Sequence, residues 1–341
     1  MNNNEFNPED VGVANGNYFG FPNNPDSSDI VLLNVPWDVT TSYRPGTSQG
    51  PNAIIEASVQ LDFFDFEVEK AWETKIGSVL PDGRIEEWNK ILRPKAEQII
   101  VALESGAELD FGLSAMQKSI NDHCSAVNEI VKQTSLHYLH KSSIVGVVGG
   151  DHSSPLGLIE ALSEIHRSFG ILHIDAHADL RLSYEGFLYS HASIMNNALK
   201  CSGVQKLVQV AVRDVSVSEI VLAKEDSRIV MFTDHDLKEN EFQGIPWHQQ
   251  CLNIINELPE KVYISFDIDG LMPELCPNTG TPVAGGLSYN QALYLLHVLK
   301  RSGRQIIGFD LCEVSPGVGS DWDANVGARI LYKLAVLAGK R

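Results

Sequence analysis

Residues 172–180 read LHIDAHADL, which places His173, Asp175, His177 and Asp179 at every second position directly after an apolar run. Successive strand side chains alternate faces, so this spacing turns all four the same way. Carboxylates removed from water are costly unless something positive meets them. Similar groups recur after other apolar runs: Asp151, His152 and Ser153 follow SIVGVVGG (143–150), Asp267 and Asp269 close KVYISFDID (261–269), and Asp310 and Glu313 close QIIGFDLCEV (305–314). Asp175, Asp179, Asp267 and Asp269 bring four negative charges together, which two divalent ions would cancel. With His152 and His177 they form an oxygen-rich set with two imidazoles, suited to Mn²⁺, with Ni²⁺, Co²⁺ and Fe²⁺ as alternatives. Two such ions about 3.5 Å apart share a water and lower its pKa, giving a hydroxide nucleophile at neutral pH. His173 sits deeper in its run and reads as a satisfied core histidine. Asp151 reads as a backbone-bonded residue or one that orients His152.

The elements that must position these groups follow the same rhythm. Runs rich in Val and Ile occur at 29–35, 143–150, 169–175, 206–212, 228–233, 261–269 and 305–314. Continuous apolar runs of this kind suit strands covered on both faces. Between them lie helix-period segments such as SPLGLIEALSEIHRS, HASIMNNALK, PWHQQCLNIINEL and SYNQALYLLHVLKRSG, with two more at about 91–107 and 114–135. Alternation of strands and helices predicts a mostly parallel sheet with helices on both sides. Ligands in such sheets gather at the carboxyl ends of strands, where the acidic and imidazole groups fall. Residues 1–28, rich in Asn, Asp, Gly and Pro, read as an irregular N-terminal arm, and 29–341 as one catalytic domain.

Composition narrows the partners. A net charge of −18 argues against nucleic acid or an anionic membrane and favours a cationic small molecule. No apolar stretch approaches membrane-span length and no secretory pattern opens the chain, so a cytoplasmic location is expected. The five cysteines are scattered with no CxxC pair, which predicts free thiols and no thiolate zinc site.

GGDHS (149–153), DAHADL (175–180) and SFDIDG (265–270) together resemble the three metal-binding signatures of the ureohydrolase family, which contains arginases and agmatinases. VPWDVTTSYRPGTSQGPNAI (35–54), YSHASIM (189–195), CPNTGTPVAGGLS (276–288) and GFDLCEVSP (308–316) are similar to its other landmarks. The resemblance spans about residues 30–337. It implies a three-layer α/β/α sandwich assembled as a homo-trimer or homo-hexamer. It also implies two divalent ions per chain, one held by His152, Asp175, Asp179 and Asp267, the other by His177, Asp175, Asp267 and Asp269. Glu313 matches the glutamate that pairs with a substrate guanidinium. His191 matches a loop histidine at the site, a proton shuttle or leaving-group contact. The chemistry of such a centre would deliver a proton to the leaving nitrogen from Asp179 or a relayed water. One departure is Met272, where the family usually has an aspartate after Asp269, so a loop-holding carboxylate is lost.

The implied reaction is hydrolysis of a guanidino compound to urea and an amine, of the agmatinase kind, with free guanidine and a nickel centre as the alternative. Arginase is disfavoured because Arg181 occupies the position of an asparagine that reads the amino-acid end. A salt bridge to a residue such as Glu185 would turn that arginine aside. Guanidinobutyrase and formimidoylglutamase rank lower; Arg181 could favour the anionic formimidoylglutamate, but the net charge of −18 and the absence of further obvious basic anchors count against it. An inactive assembly subunit of the same fold is the contrasting class, and the complete set of six ligands counts against it.

Overall fold

The computed structural model describes residues 6–339, so the first five residues of the arm and the last two of the domain lie outside the described residues. Eight strands are found among the described residues: β1 (Ile30–Val35), β2 (Ile76–Val79), β3 (Ile144–Gly149), β4 (Phe169–Ile174), β5 (Val204–Val210), β6 (Ile229–Phe232), β7 (Lys261–Asp267) and β8 (Gln305–Cys312). All seven expected runs form strands, with ends moved by a residue or two. The addition is β2, a four-residue edge strand, IGSV, too short and too broken by glycine and serine to announce itself. The strands pair in parallel in the order β2-β1-β3-β8-β7-β4-β5-β6.

Among the described residues ten α-helices accompany them: α1 (Gly50–Ser58), α2 (Gly83–Glu104), α3 (Phe111–Leu139), α4 (Leu156–Ile165), α5 (Ile194–Ala198), α6 (Val217–Glu225), α7 (Asp234–Phe242), α8 (Trp247–Asn256), α9 (Tyr289–Arg301) and α10 (Trp322–Ala338). Sheet residues alternate between two apolar cores. Leu32, Val148, Leu172, Ile264 and Phe309 face one that includes α1, α8, α9 and α10. Val31, Val147, Ile171, Leu207 and Tyr263 face another that includes α2, α3, α4 and α5. The architecture is therefore a three-layer α/β/α sandwich, with every central strand buried on both faces as its unbroken apolar run requires. The helices are terminated by local chemistry. Ser288 and Gln291 close a reciprocal capping box on α9, and Asp110 caps α3 by accepting from Leu113 N at 2.8 Å. Most of α10 is buried, so its sequence lacks the polar stripe that marks an amphipathic helix.

Residues 6–28 are irregular apart from two single 3₁₀ turns, and they lie against the chain's own core. Tyr18, Phe19 and Phe21 are buried. Phe6, Phe21, Phe63 and Tyr332 form an aromatic cluster, Phe19 N donates to Ser58 Oγ at 2.7 Å, and the Tyr18 hydroxyl donates to Asn34. The five cysteines are free. No helix among the described residues is long and apolar enough to cross a membrane.

Candidate metal centre and its cleft

The four central strands in the order β3-β8-β7-β4 deliver the predicted groups to one edge. His152 follows β3, Asp175 follows β4, Asp267 ends β7, and Glu313 follows β8. His152 Nδ1 lies 2.9 Å from Asp175 Oδ2, 3.3 Å from Asp179 Oδ2 and 3.2 Å from Asp267 Oδ2. His177 Nδ1 lies 3.4 Å from Asp175 Oδ1 and 3.2 Å from Asp269 Oδ2. Asp175 thus offers one carboxylate oxygen to each of two clusters. Asp267 Oδ1 accepts from Asp269 N at 2.8 Å, which fixes the Asp267 carboxylate against the backbone of its own loop.

Electrostatics follow from burial and crowding. Burial drives the His152 imidazolium down, but Asp175, Asp179, Asp267 and Asp310 outweigh it and hold it well above its ordinary value. His177 is likewise lowered by burial and raised further by Asp269 and Asp175. Burial, then Asp269 and Asp175, push the Asp267 carboxyl well up, while burial and Asp175 push Asp179 up to about 6. Burial raises Asp175 too, but His173, His152 and His177 bring it well below the usual range. The crowded carboxylates therefore favour positive charge at both imidazoles. A donor set of carboxylate oxygens and imidazole nitrogens in that field fits divalent ions of the Mn²⁺ type.

Beside it opens a cleft of about 150 Å³ lined by Ser42, His177, Asp179, Arg181, Tyr184 and His191, among others. Glu313 is buried next to the cluster. Its Oε1 accepts from His152 N at 3.0 Å, whereas its buried Oε2 has no hydrogen-bond partner among the described residues. A side chain at Gly280 would come within 3.2 Å of that oxygen, so the glycine keeps the approach open. Burial and Asp151 together raise the Glu313 carboxyl well above normal, and Asp151 is itself pushed up to about 7, chiefly by burial. His191 places Nδ1 3.7 Å from Glu313 Oε1 and Nε2 3.4 Å from Ser42 Oγ. Burial and the nearby His177 push it down to about 3, which keeps it neutral at neutral pH.

Asp179 and Glu313 both adopt left-handed backbone angles, with φ of 54° and 63°. Residues other than glycine pay roughly 1–3 kcal/mol for such conformations, which persist where surrounding bonds over-determine them. Here Asp179 O accepts from Met195 N and Asn196 N, Glu313 N donates to Gly150 O at 2.8 Å, and Glu313 O accepts from Thr279 Oγ1 at 2.8 Å.

Comparison with known proteins decides the lineage. The Arginase family model matches residues 28–337. The chain belongs to the arginase family. It is 30% identical over 322 residues to N(1)-aminopropylagmatine ureohydrolase of Thermus thermophilus, covering 94% of each chain. It is 26% identical over 310 residues to agmatinase of Bacillus subtilis, covering 91% of each. In fold it resembles a putative agmatinase from Clostridium difficile, with a TM-score of 0.70 at 22% identity, covering 93% of this chain and 99% of the other. The family resemblance read from the three signatures is borne out.

Some expectations change within this arginase-family frame. Arg181 does turn aside, but toward Glu219 rather than Glu185: its Nε lies 3.8 Å from Glu219 Oε2 and its guanidinium stacks on Tyr184 at 4.8 Å. Glu219 is directed there because it forms the capping box of α6 with Ser216. Asp310 is not an open strand end. It is buried within β8, where it accepts from the Tyr263 hydroxyl at 2.6 Å and Phe266 N at 3.2 Å. The loop that lacks an aspartate at Met272 is held instead by Met272 N donating to Leu287 O and by Arg213, which donates to the carbonyls of Asp269 and Leu271. Arg213, Ser42 and Glu219 were not singled out from sequence as parts of the site, because an isolated Arg, Ser or Glu carries no spacing signal. A larger cavity of about 630 Å³ where α9 and α10 end, lined by Glu67, His297 and Arg301 among others, contains no metal-ligating cluster among the described residues.

Proposed function

We propose that this chain is an agmatinase-type ureohydrolase that cleaves a cationic, linear guanidino compound into urea and an amine. One arrangement carries the reading: Asp175 presents an oxygen to each of two imidazole–carboxylate clusters, and the cleft beside them is lined by His191, whose Nδ1 lies 3.7 Å from Glu313, a buried glutamate with one unpartnered oxygen. His152, Asp175, Asp179 and Asp267 would hold one divalent ion; His177, Asp175, Asp267 and Asp269 would hold the other. When bound, the pair supplies Lewis acidity that brings the pKa of a shared water toward neutrality.

The chain's own groups do the rest. Glu313 Oε2 accepts from the guanidinium N–H groups and fixes the carbon in place, a positional contribution that lowers the barrier directly. Water oxygen bonds to that carbon, the carbon–nitrogen bond to the tail breaks, and the leaving nitrogen takes up a proton. Guanidinium plus water becomes urea plus ammonium, with one positive charge on each side. Asp179, on the wall of the cleft, is placed to carry the proton. Neutral His191 contacts the same region of the cleft and can relay it.

Mn²⁺ is the proposed resident ion, with Ni²⁺ as the alternative, and the proposal extends to a cytoplasmic homo-trimer or homo-hexamer whose catalytic unit is 29–341. The second substrate reading is free guanidine, favoured by the small volume of the cleft. The deciding experiment is a urea-release assay with agmatine, guanidine, 4-guanidinobutyrate and arginine, each with Mn²⁺ and with Ni²⁺. Agmatine turnover with Mn²⁺ is expected to lead. Turnover of guanidine alone shifts the reading to the second substrate, and no urea from any compound with two ions bound overturns both.

A further inference from the structure

The mechanism leaves one fully buried histidine beside the cluster without a task. His173 on β4 lies in register with Gln209 on β5 and with Ser265 on β7, and Ser265 lies in register with Asp310 on β8. A polar row therefore crosses four strands in the middle of the sheet, all of it buried. An apolar side chain would fill the His173 site without desolvating a ring nitrogen.

The hydrogen bonds fix the state of the ring. Gln209 Nε2 lies 2.7 Å from Ala178 O and 2.9 Å from His173 Nδ1, while Gln209 Oε1 has no partner among the described residues. A carbonyl oxygen only accepts, so the amide atom facing Ala178 is the nitrogen. Its second hydrogen then points to His173 Nδ1, which must accept. The ring proton consequently sits on Nε2 and is donated to Asp175 Oδ2, 2.8 Å away. Asp175 Oδ1 accepts from His177 N at 2.6 Å, so the carboxylate is gripped at both oxygens. The fold leaves a buried carboxamide oxygen unsatisfied in order to keep this proton order.

We infer that Gln209 and His173 are positioning residues that lock the carboxylate of Asp175 in the plane needed to serve two divalent ions, and thereby raise the affinity of the centre for them. The inference rests on the dinuclear reading above. A carboxylate already fixed in its binding orientation loses no rotamer freedom when an ion arrives, and partners of this kind are worth about 10–100-fold in metal affinity.

The test is a calorimetric titration of the full-length, chelator-stripped chain with Mn²⁺ alone, accompanied by elemental analysis and ion-free melting curves. His173→Leu is expected to bind Mn²⁺ about 10–100-fold more weakly. His173→Gln, whose amide N–H can stand where the ring Nε2–H stands, is expected to stay within a few-fold of the parent. Gln209→Met, equal in length but unable to orient the ring, is expected to fall between them. Parent-like Mn²⁺ affinity in His173→Leu, whatever its melting temperature, overturns the inference. If that variant does not fold, parent-like affinity in Gln209→Met overturns it instead. A parent chain that takes up fewer than two Mn²⁺ overturns the dinuclear reading and this inference together, whereas two ions bound equally well by parent and variants sink only the latter.

Discussion

At the scale of single residues, position relative to the cluster distinguishes two glutamates that share an unpaired buried oxygen and a left-handed backbone. Glu313 is the one beside the cluster, its other oxygen accepting from His152 N at 3.0 Å. Glu313→Gln should therefore lower kcat/KM for the guanidino substrate by about 10²–10³ while leaving two ions per chain, read by urea release and elemental analysis on the same sample. Parent-like kinetics would remove its assigned role. Glu185 offers a contrasting case outside the metal cluster. Its carboxyl is pushed up to about 7 by burial and by Glu104, its Oε2 is buried without a partner among the described residues, and its φ is 52°. The native state thus binds a proton that the unfolded state releases at lower pH, so the group's contribution to stability falls as pH rises from about 4.5 to about 7. Melting curves from pH 5 to pH 8 should show Glu185→Gln gaining on the parent across that window. A pH-independent difference would exclude this origin.

At the scale of elements, close backbone approach decides where the ligands stand. Gly150 lies between β3 and His152, and a Cβ there would come 2.1 Å from the Trp37 carbonyl oxygen, which accepts from Asp151 N. Backbone on both sides leaves nothing flexible to yield. Gly150→Ala should cost about 1–3 kcal/mol in denaturant unfolding and weaken ion binding by displacing His152. Unchanged unfolding would show that the 36–38 segment moves more freely than its bonds suggest. The helices contribute from a distance. On α2, Arg93 donates to Val39 O and Asn89 to Asp38 Oδ1, so this helix braces the segment that leads to Ser42. On α3, Gln117 and Asn121 donate to Glu185 O and Gly186 O and hold the loop that carries Tyr184. The long region between the first two expected strands is thus a brace for the cleft as well as a crossover.

At the scale of the whole molecule, the carboxylate cluster couples ion binding to folding. Ions that bind only the native chain stabilise it by RT ln(1 + [L]/Kd), about 2.7 kcal/mol per independent site at about a hundred times Kd. Adding Mn²⁺ to the stripped chain should raise its melting temperature and excess chelator should reverse the change; a melting temperature indifferent to both would speak against a centre at this sheet edge. The sequence by itself determined the strand runs, the alternation that makes a doubly covered sheet, and the placing of His152, Asp175, Asp267 and Glu313 at the carboxyl ends of strands. Those properties depend on spacing within a few residues, because the two-residue period of a strand and the three-to-four-residue period of a helix are local. It also gave the family, through three short signatures whose residue types must keep a fixed order. Only the tertiary structure decided that β3, β8, β7 and β4 stand side by side, that Glu219 rather than Glu185 answers Arg181, and that Gln209 lies in register with His173. Strand order and register are set by packing two helical layers against one sheet, where segments tens to more than a hundred residues apart meet, and no local period encodes which of them will be neighbours.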